Sequence, residues 1–168
     1  WRTRRVDVRW AVRCQAPTLF ASLLMHSTPA RVHHWNAHVL TPLIRSSCAD
    51  VLGKAESFAS EANSWHGHVT AVTVPPEYRR LGMATQLMTV LEQQSDRAKG
   101  FFVDLFVRRS NQLAIDMYSK MGYSVYRQVI GYYSGEEDAY DMRKALSRDV
   151  DKKSIIPLDK PVYPDELD

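Results

Sequence analysis

The chain has 168 residues and a mass of 19.3 kDa, which suits one domain able to bury its own core without a disulfide or metal staple. Its 45% hydrophobic and 24% charged residues exclude a mostly disordered chain, and two cysteines, Cys14 and Cys48, are too few for a disulfide framework or a cysteine-rich zinc site. The net charge of +3 is uneven: residues 1–50 carry +5, from seven Arg against Asp7 and Asp50, while residues 51–168 carry −2, so the basic pI of 8.9 belongs to one segment and is no nucleic-acid signature of the whole.

The first residue is Trp1, and residues 1–50 show no sustained period. Val6, Val8, Trp10 and Val12 alternate as a strand would, and Leu19 to Met25 is a short apolar run closed by Thr28-Pro29. An Arg-rich, acid-poor start fits a transit peptide poorly here, given its Trp, His and Pro content. The segment is expected to be atypical, either poorly ordered or the product of a misread 5′ end. No apolar run approaches the roughly 18 residues of a membrane span, and no secretory signal pattern is present, so a reducing, cytoplasmic setting is expected.

From residue 51 the pattern sharpens. Val51 to Glu56 reads as the end of a strand and Ser57 to Ser64 as a loop. Trp65 to Val74 is β-branched and alternating, a strand that Pro75-Pro76 must end because neither can donate to a ladder. A helix is expected from about Arg80 to Arg97, with Leu81, Ala84, Leu87, Met88 and Leu91 on one buried stripe. Phe101 to Val107 is a second strand, apolar on nearly both faces and therefore central. Ser110-Asn111 caps a short helix carrying Leu113, Ala114, Met117, Tyr118 and Met121, which Gly122 closes. Tyr123 to Tyr133 and Tyr140 to Leu146 are strands around an acidic loop, and residues 147–168 read as an extended tail. The order strand, helix, strand, helix, strand, strand is that of a mixed α/β sheet. Strands flanking one helix should pair in parallel, and the last two strands should form an antiparallel hairpin.

The sharpest local feature is Arg79-Arg80-Leu81-Gly82-Met83-Ala84, set between a strand and a helix. Unpaired N–H groups at a helix start, a glycine permitting close approach and two guanidiniums together suit a pyrophosphate, although an ordinary basic loop would look the same. The segment lacks the glycine patterns of Rossmann and P-loop sites. His66, His68 and Thr70 fall at period 2 and are expected on one sheet face. A metal there would need a third ligand that the spacing does not supply, so no metal is expected. Asp104 and the Phe and Met stripes read as buried structure.

The loop, following Val72-Thr73-Val74 at the right distance, resembles the acetyl-CoA loop of the GNAT superfamily of N-acetyltransferases. The segment from Ser110 to Tyr123 resembles that family's second CoA element. Further stretches (residues 65–74, 100–108, 122–127, 137–149 and 152–158) resemble the catalytic subunits of NatB-type N-terminal acetyltransferases. The resemblance covers residues 51–168. It implies a GNAT-type mixed sheet with crossover helices and a C-terminal hairpin, a core at 51–146, a tail at 147–168, and N-terminal elements missing or altered. It implies acetyl transfer from acetyl-CoA to nascent chains beginning Met-Asp, Met-Glu, Met-Asn or Met-Gln, with a helical-repeat auxiliary subunit bringing the enzyme to the ribosome and no membrane or direct nucleic-acid partner.

Residue by residue, the resemblance assigns Val72, Thr73, Val74, Arg79, Arg80, Gly82, Met83, Ala84 and Asn111 to the cofactor, and Tyr118 to the leaving thiolate. His68 and Thr70 fall to the substrate's second residue, and Tyr132 and Tyr133 to its backbone. Departures exist. Residues 1–50 lack the family's opening helices and acidic-aromatic loop, and Gly131 stands where relatives are expected to carry Glu. The alternatives are therefore a truncated, non-catalytic GNAT remnant that binds acetyl-CoA or a partner, and, lower, a nucleic-acid module using the N-terminal Arg with Trp10 and Trp35.

Overall fold

A computed structural model describes residues 8–15, 20–26, 49–56 and 65–167. They form a seven-stranded mixed sheet with two helices. The strands are β1 (Val8–Gln15), β2 (Phe20–His26), β3 (Ala49–Glu56), β4 (His66–Thr73), β5 (Phe102–Arg108), β6 (Ser124–Tyr133) and β7 (Glu137–Ala145), and the helices are α1 (Met83–Arg97) and α2 (Gln112–Lys120). The sheet order is β2-β1-β3-β4-β5-β7-β6.

What is described before residue 49 is two antiparallel strands. β1 pairs with β2 on one side and with β3 on the other, with Val12 opposite Val51 and both fully buried. The alternation seen around Val8 to Val12 is thus realised in β1. The rest of the expectation for residues 1–50 lies outside the described residues.

Helix α1 starts three residues later than its apolar pattern suggests. Arg80 has φ 63° and Gly82, the N-cap, φ 77°, so both lie in the left-handed region and the chain cannot be helical before Met83. Leu81 consequently falls in the loop and is 62% exposed rather than on the buried stripe, while Leu87, Met88 and Leu91 do form that stripe. The helix packs over β1, β3, β4 and β5. On α2 the Asn111 side chain accepts from Ala114 N at 3.2 Å, capping the helix as its sequence requires. Leu113, expected to pack, is 86% exposed because it sits in the first turn, ahead of the contacts that bury Tyr118.

The strand order departs from the simple helix-crossover rule. β4 and β5, joined through α1, pair in parallel as expected. β5 and β6, joined through α2, do not pair, because the hairpin folds back and β7 takes the slot between them, antiparallel to both. The β6–β7 turn is tightened by Gly131, whose φ is 62° and whose N–H donates to Asp138 at 2.9 Å. A Cβ there would stand 3.3 Å from the Gly135 backbone in a conformation that L-residues avoid. Gly131→Ala should therefore destabilise the fold by about 1–2 kcal/mol, read from the urea midpoint, and an unchanged midpoint would show that the turn relaxes freely. The same strain explains why this backbone does not favour Glu at 131.

The tail is extended apart from single helical turns at Lys153–Ile155 and Pro164–Glu166. It runs back along β6: Leu158 N donates to Tyr126 O (2.7 Å), Val162 N to Gln128 O (3.0 Å) and Ile130 N to Val162 O (2.9 Å).

Candidate active site

The site is built where two strands part. β4 pairs with β5 through only three residues, Gly67, His68 and Val69, opposite Val103, Asp104 and Leu105. β5 continues on β7 as far as Arg108, while β4 continues on β3 as far as Thr73. A β-bulge falls at the same point: Val69 pairs with Gly53 and Ala71 with Leu52, leaving Thr70 as the extra residue. From Thr70 onward β4 has no strand partner on its β5 side among the described residues, and the two strands part into a cleft edged by backbone groups. Thr70, Ala71 and Thr73 are exposed there and Val72 is half-buried. The bulge also breaks the strict alternation, so Thr70 does not simply continue the row of His66 and His68.

That row lies on the face away from α1, because Gly67 packs beneath Ser95 of the helix. His66 is buried and stacked on Phe102, with ring centroids 4.7 Å apart. His68 Nδ1 lies 2.9 Å from Asp104 Oδ1, and His66 Nε2 lies 3.7 Å from Asp104 Oδ2. Burial pulls the His68 pKa down, but the hydrogen bond and negative charge of Asp104 more than offset it and hold the value above the ordinary histidine range. For Asp104, burial pushes up, while the His68 hydrogen bond and the charges of His66, His68 and Arg143 bring it below the usual carboxylate range. Both shifts favour an imidazolium–carboxylate pair.

An aromatic wall continues from His68. Its ring is tilted against Phe106 at 5.8 Å, Phe106 stacks on Tyr132 at 4.6 Å, and Tyr132 meets Tyr133 edge-on at 5.1 Å. Tyr133 donates to Phe106 O (3.2 Å) and carries Arg108 over its ring at 4.0 Å. The structure thus brings His68, Tyr132 and Tyr133 together through Phe106. Neither Phe106 nor the pairing of Asp104 with His68 follows from sequence reasoning that treats β5 as core. The available signal was one charged residue in an apolar strand, on the same face as an H-x-H row.

The other residues singled out lie along the mouth of the cleft and beyond it. Arg79 Nε donates to Val74 O at 3.0 Å, fixing the loop to the end of β4. Arg80 and Gly82 are exposed beside it, and Met83 and Ala84 form the first turn of α1, where the first intrahelical bond comes from Gln86 N to Gly82 O. The N–H groups of Met83, Ala84 and Thr85 precede that bond and are the helix's orphan donors. Tyr118, on α2, is buried edge-on against Tyr123. Burial, and then the neighbouring Tyr133, push its pKa up, so its phenol keeps its proton at neutral pH. The Asn111 carboxamide oxygen is engaged in capping. Among the described residues no group of three or more His, Cys, Asp or Glu is arranged to hold a metal ion, and no helix is long and apolar enough to cross a membrane.

A family model described as the acetyltransferase (GNAT) family matches residues 10–123. The chain belongs to the GNAT acetyltransferase family. Within that enzyme family it is similar to N-alpha-acetyltransferase 20 of Dictyostelium discoideum (66% identical over 119 residues, 70% of this chain and 67% of the relative). It is similar also to the N-terminal acetyltransferase B complex catalytic subunit of Arabidopsis thaliana (62% over 119 residues, with the same coverage of both). The chain thus spans about two thirds of the length of these relatives. Among solved structures, Chaetomium thermophilum Naa20 in complex with a bisubstrate analogue superposes with a TM-score of 0.66 at 42% identity, covering 71% of this chain and 72% of that one. The family match begins inside β1, so likeness to the family reaches further back than the stretch from residue 51.

Proposed function

We propose that the chain is a NatB-type peptide α-N-acetyltransferase, moving acetyl from acetyl-CoA to the N-terminal Met of chains that begin Met-Asp, Met-Glu, Met-Asn or Met-Gln. The observation that carries this reading is the cleft where β4 leaves β5, with basic loop and orphan helix donors at one end and a histidine–carboxylate pair and aromatic wall inside. Arg79, Arg80, Gly82 and the N–H groups of Met83 and Ala84 form a cradle for the pyrophosphate of CoA. The backbone of Val72, Thr73 and Val74 would hold the pantetheine arm, and the Asn111 amide would supply a further polar contact to the cofactor.

The chemistry needs no covalent intermediate. A peptide α-amine has a pKa of about 7.7–8, so roughly a tenth to a sixth of it is neutral at pH 7 and can attack the thioester carbonyl. The C–N bond forms, the oxyanion is held by N–H groups at the open edge of β4, and the C–S bond then breaks. The leaving thiolate takes a proton from Tyr118, while the amine's proton leaves through water. His68 and Thr70 donate to the oxygen of the second residue's side chain, and Tyr132 and Tyr133 hold the peptide backbone. The relatives' B-complex name supports an auxiliary subunit, which we take to be a helical-repeat protein that brings the enzyme to the ribosome in the cytoplasm.

Arg79→Ala combined with Gly82→Ala should weaken CoA binding by about tenfold or more, since forked donors and a left-handed backbone position are removed together. Calorimetry on the full chain measures it. Unchanged affinity would remove the loop from the site.

A further inference from the structure

The mechanism above uses His68 as a donor, but nothing in that reading says which ring nitrogen faces the peptide or in what charge state. The geometry points to Asp104 as the positioning residue: it holds Nδ1 of His68, leaves Nε2 to the peptide, and so decides whether the site takes a carboxylate or an amide at the second residue. This rests on the proposed function and deepens it. The Asp104 carboxylate is buried, lies 2.9 Å from Nδ1, and is shared with His66 at 3.7 Å. A carboxylate accepts only, so Nδ1 carries a proton in either charge state of the ring. Nε2 is then the switching atom. In the imidazolium it is an N–H that donates to an Asp or Glu side chain. In the neutral ring it is a lone pair that repels a carboxylate but accepts from the NH₂ of Asn or Gln.

Other groups bias the switch. From β3, Glu56 favours the charged ring and Lys54 opposes it. Within β4, His66 shares the carboxylate. From β7, Arg143 adds positive charge behind Asp104, and Asp141 stands beyond it. From β6, Tyr132 closes the aromatic side and stays neutral, its pKa raised by burial. Among the described residues, Asp104 is the group that hydrogen-bonds the His68 ring nitrogen directly.

The test compares two peptides, identical except for Met-Asp or Met-Asn at the start, on the full chain with an auxiliary subunit present. The α-amine and acetyl-CoA are common to both, so their titrations cancel in the kcat/KM ratio. The Met-Asp to Met-Asn ratio should fall by up to about tenfold per pH unit as pH rises through the His68 titration. In Asp104→Asn the fall should begin at lower pH, and in His68→Gln, neutral at every pH, the ratio should be flat. NMR of the His68 ring in wild type and Asp104→Asn, assigned with His68→Gln, reads the same shift without turnover. A flat wild-type ratio, with the Met-Asp preference nevertheless lost in His68→Gln, overturns the role of Asp104 and keeps the proposed function. A ratio indifferent to His68→Gln, or no acetylation of either peptide, overturns the proposed function itself, while the ring titration still decides the hold of Asp104 on His68. Should Asp104→Asn fail to fold, Asp104→Glu, which keeps the charge but moves the carboxylate from Nδ1, takes its place in both the ratio and the ring titration, and an unshifted titration there overturns the role of Asp104.

Discussion

Asp141→Ala is expected to lower the unfolding free energy by about 3–5 kcal/mol, a large part of what a domain this size possesses. Asp141 is fully buried on β7 and accepts from Arg127 Nε at 2.9 Å and from Arg143 Nη2 at 3.1 Å. Arg143 is itself buried, packed between Tyr126 at 3.5 Å and Phe102 at 4.4 Å. Removing the carboxylate leaves a buried guanidinium, held between two aromatic rings, without the acceptor it donates to. Asp141→Asn keeps one acceptor oxygen and should cost less. Urea unfolding measures both. A loss under about 1 kcal/mol for the alanine variant would mean that both arginines reach solvent once released.

His68→Ala with Thr70→Val should slow Met-Asp acetylation by about 1–3 kcal/mol of transition-state binding, roughly 5- to 150-fold, as for lost charge-assisted hydrogen bonds. Met-Leu should stay poor or improve slightly, because a site made to hydrogen-bond an oxygen rejects side chains that lack one. The substitution also leaves Asp104 without its closest partner, so some stability is lost on either peptide. The ratio between peptides separates the two effects, and an equal loss on both would make the pair structural.

Local structure was legible where backbone chemistry is decisive. Pro75-Pro76 marks the end of β4, Asn111 the cap of α2, and Leu87, Met88 and Leu91 the inner stripe of α1. Patterns failed at element ends: Leu81 and Leu113 continue an apolar period yet stand outside the turns that reach the core. The slot of β7 between β5 and β6 was not readable either, since a hairpin can add on either side and only tertiary packing chooses. Within the site, the loop at 79–84 carries its own local signal. The contact of His68 with Asp104, 36 residues apart, exists only after parallel pairing sets them side by side, and the bulge at Thr70 leaves no mark in a β-branched run.

The way residues 158–162 lie along β6 has a consequence for solubility and assembly. β6 is the last strand of the sheet, and its outer backbone groups would otherwise be open to any extended chain nearby. The protein fills that vacancy from its own sequence, with Leu158 and Val162 donating to β6 and Ile130 returning a bond to Val162. Strand-to-strand growth at this border is blocked as long as the segment stays in place. A partner approaching from the β6 side meets a strap of Pro157, Asp159, Lys160 and Pro161, too poor in pairing geometry to extend the sheet further.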